Sequence, residues 1–169
     1  MNRRKFLRDL CVASASTLVA PALASTESAE SDTEFVSVLV DTTLCIGCRD
    51  CEVACAVQNG LPVPEGRDKT VFAEVRDTSP TAWTVVNEFQ TDVGKVYVKK
   101  QCMHCNQAGC STACLTRAMY KTEEGPVIWR ESKCMGCRFC MVSCPFNMPK
   151  FEYDSANPKI QKCILCFEE

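Results

Sequence analysis

An α+β fold of short strands and short helices set around cysteine-rich loops is what the sequence predicts, and three observations predict it. Fifteen of the 169 residues are cysteine, a share at which cross-links or metal centres replace a large apolar core as the source of stability. The cysteines recur in groups: C-x2-C-x2-C-x3-C at residues 45–55 and again at 134–144, C-x2-C-x4-C-x3-C at 102–114, and C-x2-C at 163–166. Around these groups one order repeats, namely strand, cysteine loop, short helix and hairpin.

Residues 1–24 read as a targeting segment. N-R-R-K-F-L-R at residues 2–8 precedes an apolar, small-residue stretch over 12–23, and Ala22-Leu23-Ala24 offers a small-x-small cleavage site, the order of a signal peptide. The adjacent arginines followed by Phe6-Leu7 resemble the twin-arginine class, which exports folded proteins. The mature chain is therefore expected in the periplasm. The apolar run is too short and too rich in Ala and Ser to span a bilayer well, and Cys11 is discarded with it. Residues 25–34 form a polar, acidic linker. No other stretch of the sequence is a membrane-span candidate. Residues 1–24 hold four of the 19 basic and one of the 21 acidic residues. The remainder thus carries about −5, which argues against nucleic acid as a partner.

Residues 35–66 form the first cysteine group. They are expected to hold a strand at 35–40 and a helix at 52–58, stopped by Asn59-Gly60, Pro62 and Pro64. Residues 67–92 contain no cysteine and read as an insertion with strand pieces at 71–75 and 83–89. Residues 93–154 form an inner module. A strand at 95–99 leads into the second group, a hairpin joins 118–122 to 127–129, the third group follows, and a strand is expected at 150–153. Residues 155–169 open a fourth group.

The spacing selects iron–sulfur chemistry. A [4Fe–4S] cube needs four thiolates, one per iron. Three cysteines at x2 spacing wrap one face of it, and Gly47 and Gly136 allow the loop a positive φ or a close backbone approach. The fourth cysteine, three residues on at the start of a helix, points elsewhere; in two-cluster ferredoxins it ligates the other cluster. The predicted fold is therefore tandem two-cluster ferredoxin-like modules. Zinc sites use two separated C-x2-C pairs or histidines, whereas this chain has a single histidine, His104. Disulfides suit the oxidising periplasm, but a disulfide protein has no need of folded export. Arg49, Lys100, Arg138 and Lys162 stand beside cysteines, where they either offset negative cubes or are ordinary solvated charge. His104, between two ligands, reads as a donor to a ligand's surroundings or a surface group. Trp83 and Trp129 read as packing residues.

At Q-C-M-H-C and at C-M-G-C-R-F-C-M-V-S-C-P-F-N-M-P-K-F-E-Y the chain resembles the iron–sulfur subunits of the dimethyl-sulfoxide-reductase type. The nearest are periplasmic ones of respiratory hydrogenase-2 and of the high-molecular-weight cytochrome complex. The resemblance covers residues 35–169 and implies four cubes. One would be held by Cys102, Cys105, Cys110 and Cys144, and a second by Cys134, Cys137, Cys140 and Cys114. The outer pair would draw on Cys45, Cys48 and Cys51, and on Cys163, Cys166 and Cys55, each set one ligand short. Fourteen cysteines remain without Cys11 where four cubes need about sixteen, so a truncated sequence is expected. Leu115 stands where many relatives have proline.

The resemblance implies an electron relay and not a catalyst, since no nucleotide fingerprint, nucleophile–base set or phosphate loop is present. Implied partners are a hydrogenase or multihaem cytochrome and an integral membrane quinone-reactive subunit. The competing readings are the iron–sulfur subunit of a molybdopterin reductase or dehydrogenase, and a zinc-binding or metal-storage module without redox work.

Overall fold

Three antiparallel two-stranded sheets carry the chain between its cysteine groups. The computed structural model describes residues 35–65 and 68–167; the targeting segment and acidic linker lie outside them. The first group leads into helix α1 (Asp50–Gln58), after which a 3-10 turn (Thr70–Ala73) precedes strand β1 (Val85–Thr91). β1 pairs with β2 (Gly94–Lys100) in register from Val85–Lys100 to Thr91–Gly94. The second group holds the one-turn helix α2 (Gly109–Thr112), and the hairpin β3 (Met119–Lys121) and β4 (Val127–Trp129) follows it. The third group holds the one-turn helix α3 (Phe139–Val142), and β5 (Lys150–Phe151) pairs with β6 (Ile160–Gln161) before the fourth group. The architecture is α+β.

Several expected elements change when tertiary contacts are in place. Residues 35–40 form no strand; Val36 N–H donates to Glu124 O at 3.0 Å, and Val38 and Leu39 are exposed. β-branched residues become a strand only beside a ladder. Residues 71–75 form no strand: 71–73 belong to the 3-10 turn, at whose start Asp68 accepts from Thr70 N–H at 2.8 Å and Thr70 Oγ1 at 2.6 Å. β1 starts at Val85 and not Trp83, since a tight Ser79–Ala82 bridge precedes it and the Trp83 indole donates to Pro80 O at 3.0 Å. The strand at 150–153 shrinks to two residues. The fourth cysteines of groups two and three, Cys114 and Cys144, lie just past α2 and α3 and do not start a helix.

The apolar core joins both cysteine helices to the hairpin: Ala108, Met119, Val127, Cys140 and Ile160 are buried together, with Trp129, Met141 and Phe151 against them. Gly109 lets α2 approach the end of α3, since a Cβ there would stand 3.0 Å from Ser143 O.

The loops repeat in backbone conformation as well as in sequence. The second x of the first C-x2-C in each group has a positive φ: Gly47 at 69°, His104 at 45°, Gly136 at 71° and Leu165 at 60°. The residue after the second cysteine repeats it in groups one and three, Arg49 at 65° and Arg138 at 61°. Such alternation curls successive N–H groups into a concavity suited to negative charge.

Two carboxylates fasten the cysteine-free segment. Glu52, buried in α1, accepts from Arg49 at 2.9 Å, from Arg76 at 2.5 Å and from the backbone N–H of Val86 at 2.6 Å. Burial raises the pKa of this carboxyl, but the Arg76 and Arg49 guanidiniums outweigh it and hold the group below the usual range. Asp77 accepts from Lys100 at 2.8 Å, Lys150 at 3.0 Å and Asn147 at 2.7 Å, clamping the entry to group two against the exit from group three. Its pKa is likewise held well below 3.8 against the effect of burial, by the two lysines above all. Its contribution to stability is present above that unfolded value and is lost as pH falls through the depressed folded one.

Two predictions follow from this geometry. Gly136→Ala meets open space and pays only the left-handed backbone cost, about 1–2 kcal/mol. Gly47→Ala also drives a Cβ to 2.5 Å from the Tyr97 ring, which itself lies 5.3 Å from the Phe72 ring, and loses on the order of 3 kcal/mol. Anaerobic thermal melts should rank wild type, G136A and G47A in that order. Glu52→Gln removes the buried carboxylate charge that Arg49 and Arg76 share and should cost roughly 3–5 kcal/mol, read as a lower denaturant midpoint of the anaerobic protein.

Candidate cluster-binding sites

All fourteen cysteines among the described residues carry free thiols. The loops and one-turn helices gather them across group boundaries. Cys102, Cys105 and Cys110 of the second group and Cys144 of the third line one cavity, together with His104 and Val127. Cys140 is pushed up to about 11, by burial first and then by the negative charge of Cys110, Cys114, Cys134 and Cys137. Burial also raises Cys110, with Cys102 and Cys144 adding to it. In the first group burial raises Cys51, and Cys48 and Cys45 add to it while Lys99 opposes. Cys163 is raised too, by burial above all, with the charges of Cys102 and Cys55 adding to it. Cys137 and Cys166 are exposed.

The sulfurs also meet backbone donors. Met119 N–H donates to Cys114 Sγ at 3.3 Å, Met148 N–H to Cys144 Sγ at 3.5 Å and Leu165 N–H to Cys163 Sγ at 3.4 Å. At Cys114 such donors outweigh burial and bring the thiol below its ordinary value. Among the described residues no three His, Cys, Asp or Glu side chains stand close enough to hold one metal ion directly; the group-two set instead surrounds a cavity. Packed, partly buried thiols that repel each other's ionisation suit a group that arrives with its own cationic iron and needs several thiolates at once. A [4Fe–4S] cluster fits that donor set.

The cations expected beside the clusters divide by role. Arg49 is committed to Glu52 and donates to Asp68 O at 3.1 Å. Lys100 pairs with Asp77, and Arg138 lies over the Phe151 and Tyr153 rings at 5.5 and 5.9 Å. Lys162 is different: it is buried, its ammonium donates to Val127 O and to Cys163 O at 2.8 Å, and its charge favours the thiolates of Cys110 and Cys163. Lys99, whose charge favours the Cys51 thiolate, and Lys121, which donates to His104 O at 3.2 Å and Cys105 O at 3.3 Å, were not evident in the sequence. Neither adjoins a cysteine in the chain; the β strands deliver both. His104 is half-buried, with Nε2 out of reach of solvent, and its Nδ1 accepts from Val127 N–H at 2.8 Å.

Comparison with known proteins agrees with the cysteine pattern. Residues 93–169 match the 4Fe-4S dicluster domain, and residues 37–60 match a 4Fe-4S binding domain. A protein of Nitratidesulfovibrio vulgaris is 44% identical over 176 residues, covering 98% of this chain and 47% of the relative. The hydrogenase-2 operon protein HybA of Escherichia coli O157:H7 is 34% identical over 98% of this chain and 54% of its own length. The formate dehydrogenase-O iron-sulfur subunit of Escherichia coli is 34% identical over 80% of this chain and 46% of its own length. The chain thus spans about half the length of these relatives. It belongs with the ferredoxin-like [4Fe–4S] proteins, homologous to HybA and to formate dehydrogenase iron–sulfur subunits.

Proposed function

We propose that this chain is a relay subunit of a periplasmic, membrane-associated respiratory complex, built as tandem two-cluster modules. The observation that carries the ligand assignment is Cys144 of the third group lining the cavity of Cys102, Cys105 and Cys110; Cys110 and then Cys114 of the second group act on Cys140 of the third. This supports an exchange of last ligands between groups two and three. Cys134, Cys137, Cys140 and Cys114 would hold the second complete cluster. Cys45, Cys48 and Cys51 would contribute to one outer cluster, and Cys163, Cys166 and Cys55 to the other.

When bound, the clusters supply one-electron chemistry. The protein's own part is to fix each cluster, donate N–H groups to sulfur and set the local charge. Lys162, Lys121 and Lys99 supply positive charge near the thiolates, which favours the reduced, more negative state. Partner chains would provide catalysis: a hydrogenase or multihaem cytochrome on one side and a quinone-reactive membrane subunit on the other. No helix among the described residues is long and apolar enough to cross a membrane. The twin-arginine reading of residues 1–24, outside the described residues, is what supports periplasmic export.

Service to a molybdopterin dehydrogenase is the second reading. It is favoured by identity to a formate dehydrogenase subunit equal to that with HybA, 34% in both. Co-purification of the native complex separates the two.

Single substitutions test the ligand exchange. In anaerobically purified protein, Cys144→Ala should disturb the cluster of the second group and Cys114→Ala that of the third. Each should lose about four irons and four sulfides at most, with a different EPR component affected in each. Loss from the residue's own group in both cases would contradict the exchange, and zinc without sulfide would end the relay reading.

A further inference from the structure

His104 is held in one tautomer by the strand it faces. Val127 N–H donates to Nδ1 at 2.8 Å, so Nδ1 carries no proton and the neutral ring bears its hydrogen on Nε2. Nε2 is itself buried and has no hydrogen-bond partner among the described residues. A buried N–H without an acceptor is costly, so an acceptor from outside the polypeptide is called for at this position. His104 lines the cavity of Cys102, Cys105, Cys110 and Cys144, as does Val127.

We infer that His104 Nε2–H donates a hydrogen bond to a sulfur of the cluster held in that cavity, raising its reduction potential as a positioned donor and not as an iron ligand. The inference rests on the cluster reading above. Four cysteines already line the cavity, so no ligand position is left for imidazole. A hydrogen bond to sulfur stabilises the more negative, reduced cluster. Val127 fixes both partners of this arrangement, its N–H holding the imidazole and its carbonyl accepting from the Lys162 ammonium.

His104 is the chain's single histidine, so growth on ¹⁵N-histidine labels this ring alone. In the dithionite-reduced wild-type protein, pulsed EPR should show a weak ¹⁵N coupling and an exchangeable proton coupling on the group-two cluster. His104→Leu keeps a residue type that tolerates the backbone here, because Leu165 occupies the matching position with φ 60°. With iron and sulfide content unchanged, it should lower the reduction constant of that cluster about tenfold, which is about 59 mV for a one-electron couple. His104→Gln, which restores an amide donor, should recover part of that shift. A strong ¹⁵N coupling would show ligation and overturn the inference, as would no ¹⁵N coupling in a fully loaded wild-type protein or a shift confined to another cluster. Should His104→Leu fail to load iron, the wild-type labelling result decides alone. Absence of iron and sulfide from the wild type would instead overturn the cluster reading on which this rests.

Discussion

Sulfur brought together out of water must be given a counter-charge, and the rest of this fold depends on that requirement. Thiolates are the ligating form, yet burial and mutual repulsion drive Cys140 up to about 11 and raise Cys51, Cys110 and Cys163. The polypeptide answers in part, with backbone N–H groups at Cys114, Cys144 and Cys163 and ammonium groups at Lys99, Lys121 and Lys162. Positive-φ residues in the first C-x2-C turn of each group give the four loops the same local curl. Iron supplies the remainder, and its binding free energy becomes folding free energy. The small apolar core reflects the same division, since Cys140 belongs to it and Cys105, Cys110, Cys114 and Cys134 lie against it.

The cysteine-free segment is braced by contacts that owe nothing to sulfur. Glu52 lies between Cys51 and Cys55 and ties α1 to Arg76 and to β1. Asp77, one residue after Arg76, reaches Lys100, Asn147 and Lys150. A stretch that reads as an insertion therefore braces the first group through one carboxylate and the second and third through the next. The Glu52 carboxylate is buried and that of Asp77 exposed; pairs of either kind add little net stability, but they fix positions, and geometry is what a fixed set of ligands requires.

The legible part of this protein was its cysteine spacing, because cubane ligation imposes a covalent rhythm that needs no tertiary context. The β3–β4 hairpin was legible for a similar reason: Glu123-Glu124-Gly125-Pro126 is strong local turn chemistry between apolar runs. Residues 35–40 misled because their β-branched pattern states a preference and not a partner. Residues 71–75 misled because Asp68 and Thr70 close a turn at their start, a signal weaker than the apolar run. His104 and Leu165 adopt the backbone of Gly47 and Gly136 without being glycine, so only alignment of the four groups exposes the shared turn. Arg49 illustrates the limit on charge. Proximity to a cysteine in sequence suggested a tuning role, whereas the side chain turns to Glu52. Lys121, remote in sequence, comes to the ligand loop.

The central claim is that charge neutralisation at sulfur folds the cysteine-bearing region. Amide hydrogen exchange on the anaerobic, reduced protein before and after iron chelation measures it most directly. The account predicts that Met119, Val127 and Met148 are protected in the loaded protein and exchange freely once iron is removed, while protein thiols stay reduced. Retained protection at these amides in the iron-free, thiol-reduced chain would contradict it.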